Sequence, residues 1–190
     1  MALISLLLLA VLLPYLSHSA SVNVGIINGT EAKPHSRPYM VSVQEYGSHV
    51  CGKSSQLRGK AKQSKTVNWI SIPKTNEGIK ANSVCSVAGW GKTGSFKSGS
   101  NRLLETKITI VAEKECKKLW KEDLTPRMIC AVHPGGTCEG DSGGALVCGN
   151  TAVGIVSFGQ KDKCDAPTKP EVFAKISAFL PWIKSIIGKV

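Results

Sequence analysis

The stretch that decides the fold is Thr137-Cys138-Glu139-Gly140-Asp141-Ser142-Gly143-Gly144-Ala145. Its glycines allow a tight backbone turn that exposes the hydroxyl of Ser142 and directs amide N–H groups towards a bound carbonyl. In the acyl-transfer template, the N–H groups of the nucleophile and of the residue two before it form the oxyanion hole, here those of Ser142 and Gly140. A lone Gly-x-Ser-x-Gly is weak, whereas Gly-Asp-Ser-Gly-Gly preceded by Cys138 is specific. The loop therefore predicts acyl-transfer chemistry with Ser142 as the nucleophile.

The first twenty residues have the composition of a signal peptide. An apolar run from Leu6 to Leu13 is followed by the small residues Ser17-His18-Ser19-Ala20, which suit a signal peptidase. The run is too short to span a membrane, and no second run follows it. We therefore predict a signal peptide over residues 1–20, no membrane span, and one domain that is secreted or delivered to a secretory granule.

The remainder of the chain is strongly basic, with 24 Lys and Arg against 13 Asp and Glu. Such an excess favours polyanionic partners. Because an exported chain with few aromatic residues rarely meets nucleic acid, we expect no nucleic-acid partner and favour sulfated glycans or acidic proteins. The alternative interpretation is a basic surface that serves only solubility.

The chain contains seven cysteines, and an odd number in an exported protein predicts disulfides with one thiol left over. They are Cys51, Cys85, Cys116, Cys130, Cys138, Cys148 and Cys164. No two of them show the CxxC spacing of a zinc site, and the histidines are scattered along the sequence. We therefore expect no metal site and no cofactor.

Short β-segments dominate the hydrophobic pattern. Apolar and polar residues alternate from Leu104 to Ile110, and short apolar runs occupy residues 145–148, 152–158 and 172–176. Evenly spaced strands of this kind predict an all-β closed barrel or sandwich. The chain ends differently, because Ile176, Leu180, Ile183 and Ile187 recur at helical spacing, with Pro181 tolerable in the first turn and Gly188 as a stop. This predicts a C-terminal α-helix that packs on the barrel.

Further motifs accompany the serine loop in a fixed order. They are Ile26-Ile27-Asn28-Gly29, Pro34-His35-Ser36-Arg37-Pro38-Tyr39-Met40, His49-Val50-Cys51-Gly52, Ala88-Gly89-Trp90-Gly91 and Ser157-Phe158-Gly159. Together they resemble the trypsin-like (chymotrypsin-fold, S1) serine protease family, and within it the granule proteases of the granzyme and mast-cell type. The resemblance covers residues 26–52 and about 57–190. It implies a domain over residues 26–190, preceded by a short propeptide over residues 21–25, and a secreted endopeptidase activity.

The resemblance also implies roles for individual residues. Ile26, once freed by cleavage after Gly25, would pair its α-amino group with Asp141 and so order the oxyanion loop. Ser157, Phe158 and Gly159 would bind the substrate backbone as an added strand. Gly136 corresponds to the floor of the specificity pocket.

Glu171 corresponds to a second position that lines this pocket. A carboxylate there favours a basic side chain before the scissile bond of a protein or peptide substrate, and a carboxylate that reaches in from the wall admits aromatic side chains as well. The alternative is that Glu171 turns away, towards a surface already rich in lysine.

By the same resemblance the cysteines pair as Cys85–Cys148, Cys116–Cys130 and Cys138–Cys164. Cys51 normally pairs with a cysteine directly after the catalytic histidine. That cysteine is absent here, so Cys51 is left unpaired and the odd count is explained.

The catalytic histidine and aspartate of the family are missing from this chain. In the template they lie about 140 and about 90 residues before the serine, whereas Ile26 lies only 116 residues before Ser142 (142 − 26). His35, His49 and His133 do not occupy the catalytic position. The resemblance therefore implies a trypsin-like double β-barrel whose N-terminal barrel is largely deleted, with the junction near Gly52 and Lys53 and a complete C-terminal barrel over residues 84–176.

Three functional interpretations follow. The first, which the sequence favours, is a secreted serine endopeptidase by family whose catalysis is impaired because the histidine and aspartate of the triad are absent. The second is a pseudoprotease that binds a protein or a glycan without catalysis. The third is an active protease with an unrecognised base.

Asn28-Gly29-Thr30 forms an N-glycosylation sequon. It is either occupied by a glycan or left unused because it lies in a tight segment beside the mature N-terminus.

Overall fold

The computed structural model describes residues 26–53 and 62–187. The predicted signal peptide, the propeptide and the helix stop at Gly188 lie outside these residues. The described strands are β1 (Thr30–Glu31), β2 (Val41–Glu45), β3 (Ser48–Lys53), β4 (Val84–Gly89), β5 (Leu104–Val111), β6 (Met128–Val132), β7 (Ala145–Cys148), β8 (Thr151–Phe158) and β9 (Glu171–Lys175). The described α-helices are α1 (Glu113–Trp120) and α2 (Leu180–Ile187).

Six of these strands close into an antiparallel barrel. The ring runs β4-β5-β6-β9-β8-β7, and β7 returns to pair with β4. Its interior is filled by apolar side chains that include Val87, Ile108, Leu146 and Phe173. Each such buried side chain stabilises the fold by about 1.5–3 kcal/mol. The predictions of an all-β fold and of a complete C-terminal barrel are confirmed.

The N-terminal part contributes a hairpin instead of a barrel. Strands β2 and β3 form a separate two-stranded sheet, joined by Tyr46 and Gly47. Both joining residues have positive φ, 49° and 81°, which suits the twist of a two-residue hairpin loop. Strand β1 adds to the edge of the barrel sheet beside β5. Among the described residues, this hairpin is the only sheet besides the barrel sheet.

The two described α-helices differ in burial: α1 contacts β6, whereas among the described side chains of α2 only Leu180 is buried and Ile183 half-buried. Helix α1, which the sequence analysis did not predict, buries Cys116 and Trp120, four residues apart on one face. Helix α2 follows a 3₁₀ turn at Ile176–Phe179 and carries Pro181 in its first turn, where no N–H is needed. The predicted C-terminal helix is confirmed. Among the described residues, no helix combines the length and apolar character that crossing a membrane requires.

Three disulfides link elements of the barrel half. They join Cys85 to Cys148, Cys116 to Cys130 and Cys138 to Cys164, which are the pairs that the family resemblance implies. Cys51 on β3 has no disulfide partner among the described residues.

Candidate active site

The serine loop connects β6 to β7 and presents Ser142 to solvent. Its shape is fixed by backbone hydrogen bonds. Gly144 donates to the carbonyl of Asp141 at 3.0 Å, and Gly143 donates to the carbonyl of Val156 on β8, also at 3.0 Å. The loop is therefore held by hydrogen bonds both within itself and to a barrel strand.

The N–H of Gly140 is oriented by its neighbours. The carbonyl of Glu139 accepts a hydrogen bond from the N–H of Lys92 at 2.7 Å, and in a trans peptide the N–H of Gly140 points the opposite way. Among the described residues, neither this N–H nor that of Ser142 donates to a protein acceptor. The N–H groups of Gly140 and Ser142, which the sequence analysis predicts as oxyanion donors, are thus without a protein acceptor among the described residues.

Gly140 also has φ of +97°, which favours glycine. Its carbonyl accepts hydrogen bonds from His49 Nε2 at 2.8 Å and from the N–H of Gly52 at 3.2 Å. Both donors belong to β3. The hairpin therefore holds the oxyanion loop from the N-terminal side.

No described histidine is placed to activate Ser142. The ring of His49 is engaged at both nitrogens, since Nδ1 contacts Ser42 Oγ at 2.7 Å and Nε2 contacts the Gly140 carbonyl. His133 contacts Thr106 Oγ1 through Nε2 at 3.1 Å and accepts a hydrogen bond from the N–H of Gly135 at Nδ1. His35 is exposed in a left-handed conformation. Among the described residues, no histidine is therefore in a position to act as a general base for Ser142.

Asp141 lies fully buried behind the loop. Burial raises the pKa of its carboxyl to about 6, although hydrogen bonds from the N–H groups of Cys138 and Gly91 act in the opposite direction. Ile26, the residue expected to pair with Asp141, is fully buried too. In the uncut chain its nitrogen belongs to a peptide bond and carries no charge, so the expected ion pair belongs to a cleaved form.

A pocket of about 190 Å³ opens beside the serine loop. The structure brings together in its lining Ser142, which the sequence analysis assigns as the nucleophile, and four residues that it assigns to substrate binding: Ser157, Phe158, Gly159 and Glu171. Thr137 also lines it and was missed, because nothing in a threonine after a glycine identifies its hydrogen-bond partner 34 residues away.

Glu171 turns into the fold and not towards the lysine-rich surface. Its side chain accepts hydrogen bonds from the N–H and the hydroxyl of Thr137, each at 2.6 Å, and the residue is only 7% exposed. Burial raises the pKa of this carboxyl to about 7; the Thr137 hydrogen bonds lower it, and the nearby charge of Asp141 raises it. The group therefore changes charge near neutral pH.

Gly136 makes room for this carboxyl. A Cβ atom at Gly136 would lie 2.0 Å from Glu171 Oε1, and the backbone there has φ of +127°. Only glycine fits both requirements. Gly136, which is not among the residues that line the pocket, therefore leaves open the space that the Glu171 carboxyl fills.

The end of β8 has a bulge at the position expected to bind substrate. Val156 and Phe158 pair with consecutive residues of β9, so Ser157 has no register partner there and is exposed. Phe158 packs edge-on against Trp120 of α1, with ring centroids 5.2 Å apart. Helix α1 thus supports the strand edge from behind.

The closed six-stranded barrel and the loop that carries Ser142 together form the architecture of a trypsin-type serine protease. The sequence profile of the Trypsin family matches residues 53–183, which is more than half of the chain. The chain belongs to this family.

Its relatives include granzymes. Granzyme-like protein 1 of Rattus norvegicus is 39% identical over 138 residues, which are 70% of this chain and 54% of that protein. Granzyme B of the same species is 33% identical over 231 residues, covering 86% of this chain and 92% of that protein. The chain thus spans about half the length of the first relative and nearly all of the second.

Among solved structures, neuropsin, a serine protease expressed in the limbic system of mouse brain, superposes with a TM-score of 0.77 at 24% identity. The superposition covers 85% of this chain and 100% of that chain. At this identity the likeness concerns the fold alone.

Proposed function

We propose that this chain is a secreted or granule-stored member of the serine endopeptidases whose chemical step is impaired. The observation that carries the proposal is the environment of Ser142. Its oxyanion donors are free, while both ring nitrogens of His49 and of His133 are engaged elsewhere. A serine hydroxyl without a base stays protonated at neutral pH and is a poor nucleophile.

An internal deletion near Gly52 and Lys53 explains the missing base. The alignment with granzyme B extends over 231 positions but uses 86% of this 190-residue chain, about 163 residues. About 68 aligned positions therefore have no residue from this chain, which is enough for a block that carries the histidine and the aspartate. The single hairpin that precedes the barrel supports the same interpretation.

The rate of peptide cleavage that remains without a base is expected to be low. Loss of the catalytic histidine lowers turnover by about a million-fold in a well-studied serine protease, and the oxyanion hole with substrate binding leaves about 10³–10⁴ over water. Peptide binding is expected to survive better than peptide cleavage, because the pocket, Glu171 and the edge of β8 are all present. The preferred ligand is a peptide with a basic side chain at the pocket position, since Glu171 is the buried carboxyl that lines it.

Cleavage after Gly25 belongs to this proposal. It would give Ile26 a charged α-amine, and pairing with Asp141 would offset the cost of burying that carboxylate.

A non-catalytic binding protein is the second candidate. The formal net charge of +11 favours acidic proteins or sulfated glycans as ligands. Heparin binding that persists in Ser142→Ala, together with absent serine reactivity, would support this candidate.

Labelling with a serine-reactive fluorophosphonate tests the impaired site. We expect wild-type protein and Ser142→Ala to label equally weakly at neutral pH, because nothing deprotonates the hydroxyl. An intact trypsin-family protease serves as the positive control. Strong labelling of the wild type that Ser142→Ala abolishes would contradict the proposal and point to an unrecognised base.

A further inference from the structure

The sequence contains a single Asn-x-Ser/Thr sequon, Asn28-Gly29-Thr30. The solvent exposure of this asparagine differs from that of the residues on either side. Ile26, Ile27 and Gly29 are buried, whereas Asn28 and Thr30 are exposed. A tight segment therefore does not hide the acceptor side chain, which projects outward from an otherwise inward-facing stretch.

There is open space at this position. Asn28 and Thr30 line a surface depression of about 410 Å³ together with Thr106, Lys107 and His133. None of its lining residues belongs to the pocket beside Ser142. A bulky group on Asn28 can therefore extend into solvent without filling the candidate substrate pocket.

The side chain keeps its contact when it is modified. Asn28 Nδ2 donates a hydrogen bond to the carbonyl of Pro134 at 3.2 Å, and an amide nitrogen carries two hydrogens. A glycan replaces one of them, so the other N–H can still donate to Pro134. The φ of 57° at Asn28 is one that asparagine tolerates better than most residues.

We propose that Asn28 carries an N-linked oligosaccharide. The nitrogen Nδ2 attacks the anomeric carbon of a lipid-pyrophosphate-linked oligosaccharide; the nitrogen–carbon bond forms, the carbon–oxygen bond to the pyrophosphate breaks, and one amide proton leaves. This inference rests on the export of the chain, which is part of the proposed function. The three disulfides fit the same oxidising compartment.

The test uses the full chain expressed in a mammalian secretory cell line, with medium and membrane fractions analysed together. Peptide-N-glycosidase is expected to increase the mobility of the wild type, and mass spectrometry of the peptide that contains residue 28 is expected to show conversion of Asn28 to Asp. Asn28→Gln and Thr30→Ala should remove the shift. Thr30→Ser, which preserves the sequon, should keep it and is the matched control.

The outcomes distinguish a failure of glycosylation at Asn28 from a failure of export. A glycan on Asn28 supports the inference whether the chain is secreted or retained in membranes. Chain that is secreted or membrane-protected but unmodified at Asn28 overturns this inference alone. Chain that retains residues 1–20 and is digested by added protease without detergent contradicts export, and the inference fails with it.

Discussion

Glu171 shows how one residue can set the chemistry of a pocket. Its carboxyl is held by the N–H and the hydroxyl of Thr137 and fits only because Gly136 lacks a side chain. Burial brings its pKa to about 7, so the pocket contains a neutral acid in mildly acidic surroundings and an anion above neutrality. A cationic ligand side chain should bind well only to the anion.

Binding of an amidinium such as benzamidine tests this charge. Affinity is expected to rise with pH up to about 7, by about tenfold per pH unit below that value, and then to level off. Glu171→Gln should remove this dependence and weaken binding at pH 8 by about 10- to 100-fold, the worth of a hydrogen bond to a charged group. Isothermal titration calorimetry between pH 5 and pH 8 measures both effects.

Glu139→Gln is the matched control for this experiment. Glu139 also lines the pocket, but it is exposed and pairs with Lys92. Its replacement should leave the pH profile unchanged. An amidinium affinity that is equal at pH 5 and pH 8 in the wild type would show that Glu171 does not reach the ligand.

At the scale of elements, α1 depends on one covalent link. Cys116 on the helix is joined to Cys130 on β6, 14 residues later, and Trp120 anchors the other end by donating to the carbonyl of Pro170 at 2.9 Å. The helix in turn supports Phe158 at the edge of β8. Loosening α1 should therefore reach the substrate-binding edge.

Replacing both cysteines, Cys116→Ala with Cys130→Ala, tests this dependence. A loop of this length is expected to contribute about 3 kcal/mol through the entropy of the unfolded chain. Urea unfolding should show a loss of that order, and hydrogen exchange should increase in α1 and at residues 156–159. The variant Cys51→Ser, which replaces the unpaired cysteine, serves as the control and should show neither change. Equal protection of residues 156–159 in both variants would mean that α1 does not brace this edge.

Elements differed in how well the sequence predicted them. Strand β5 alternates apolar and polar residues, so its pattern was predictive. Helix α1 was missed because five of its eight residues are lysine or glutamate and only three are apolar. The hairpin loop at Tyr46 and Gly47 was missed as well, since a tyrosine with positive φ is not a usual turn signal.

For the candidate site, the sequence supports proposals only as far as local motifs extend. Ser142 and Gly140 follow from the glycine-rich loop itself. The contact of His49 with the Gly140 carbonyl spans 91 residues, and the contact of Thr137 with Glu171 also depends on strands meeting in space. No single-sequence pattern specifies such pairs, because they result from the packing of the whole barrel.

At the scale of the molecule, two buried carboxyls set how stability varies with pH. The folded-state pKa values of Asp141 and Glu171 are raised to about 6 and about 7, from 3.8 and 4.5. A carboxyl with a raised pKa holds its proton more tightly in the fold. The stability that such a group contributes is therefore fully present below its pKa in the unfolded chain and is lost as the pH rises through its pKa in the folded chain.

The uncut chain should accordingly be more stable at pH 5 than at pH 8. Each group contributes about 1.4 kcal/mol per pH unit between its two pKa values, so a difference of a few kcal/mol is expected. Urea unfolding at both pH values measures the difference, and Glu171→Gln should reduce it. Stability that rises from pH 5 to pH 8 in the wild type and the variant alike would refute this assignment.

The pairing of β5 with β6 closes the barrel on itself, and this closure determines which changes elsewhere in the chain can disturb it. Each of its six strands pairs with two other barrel strands, and β5 pairs with β1 as well. Loss of the hairpin formed by β2 and β3 would therefore break none of the ladder hydrogen bonds within the barrel. The barrel that carries the serine loop therefore has the backbone pairing of a self-contained folding unit, which is expected to tolerate changes in the hairpin.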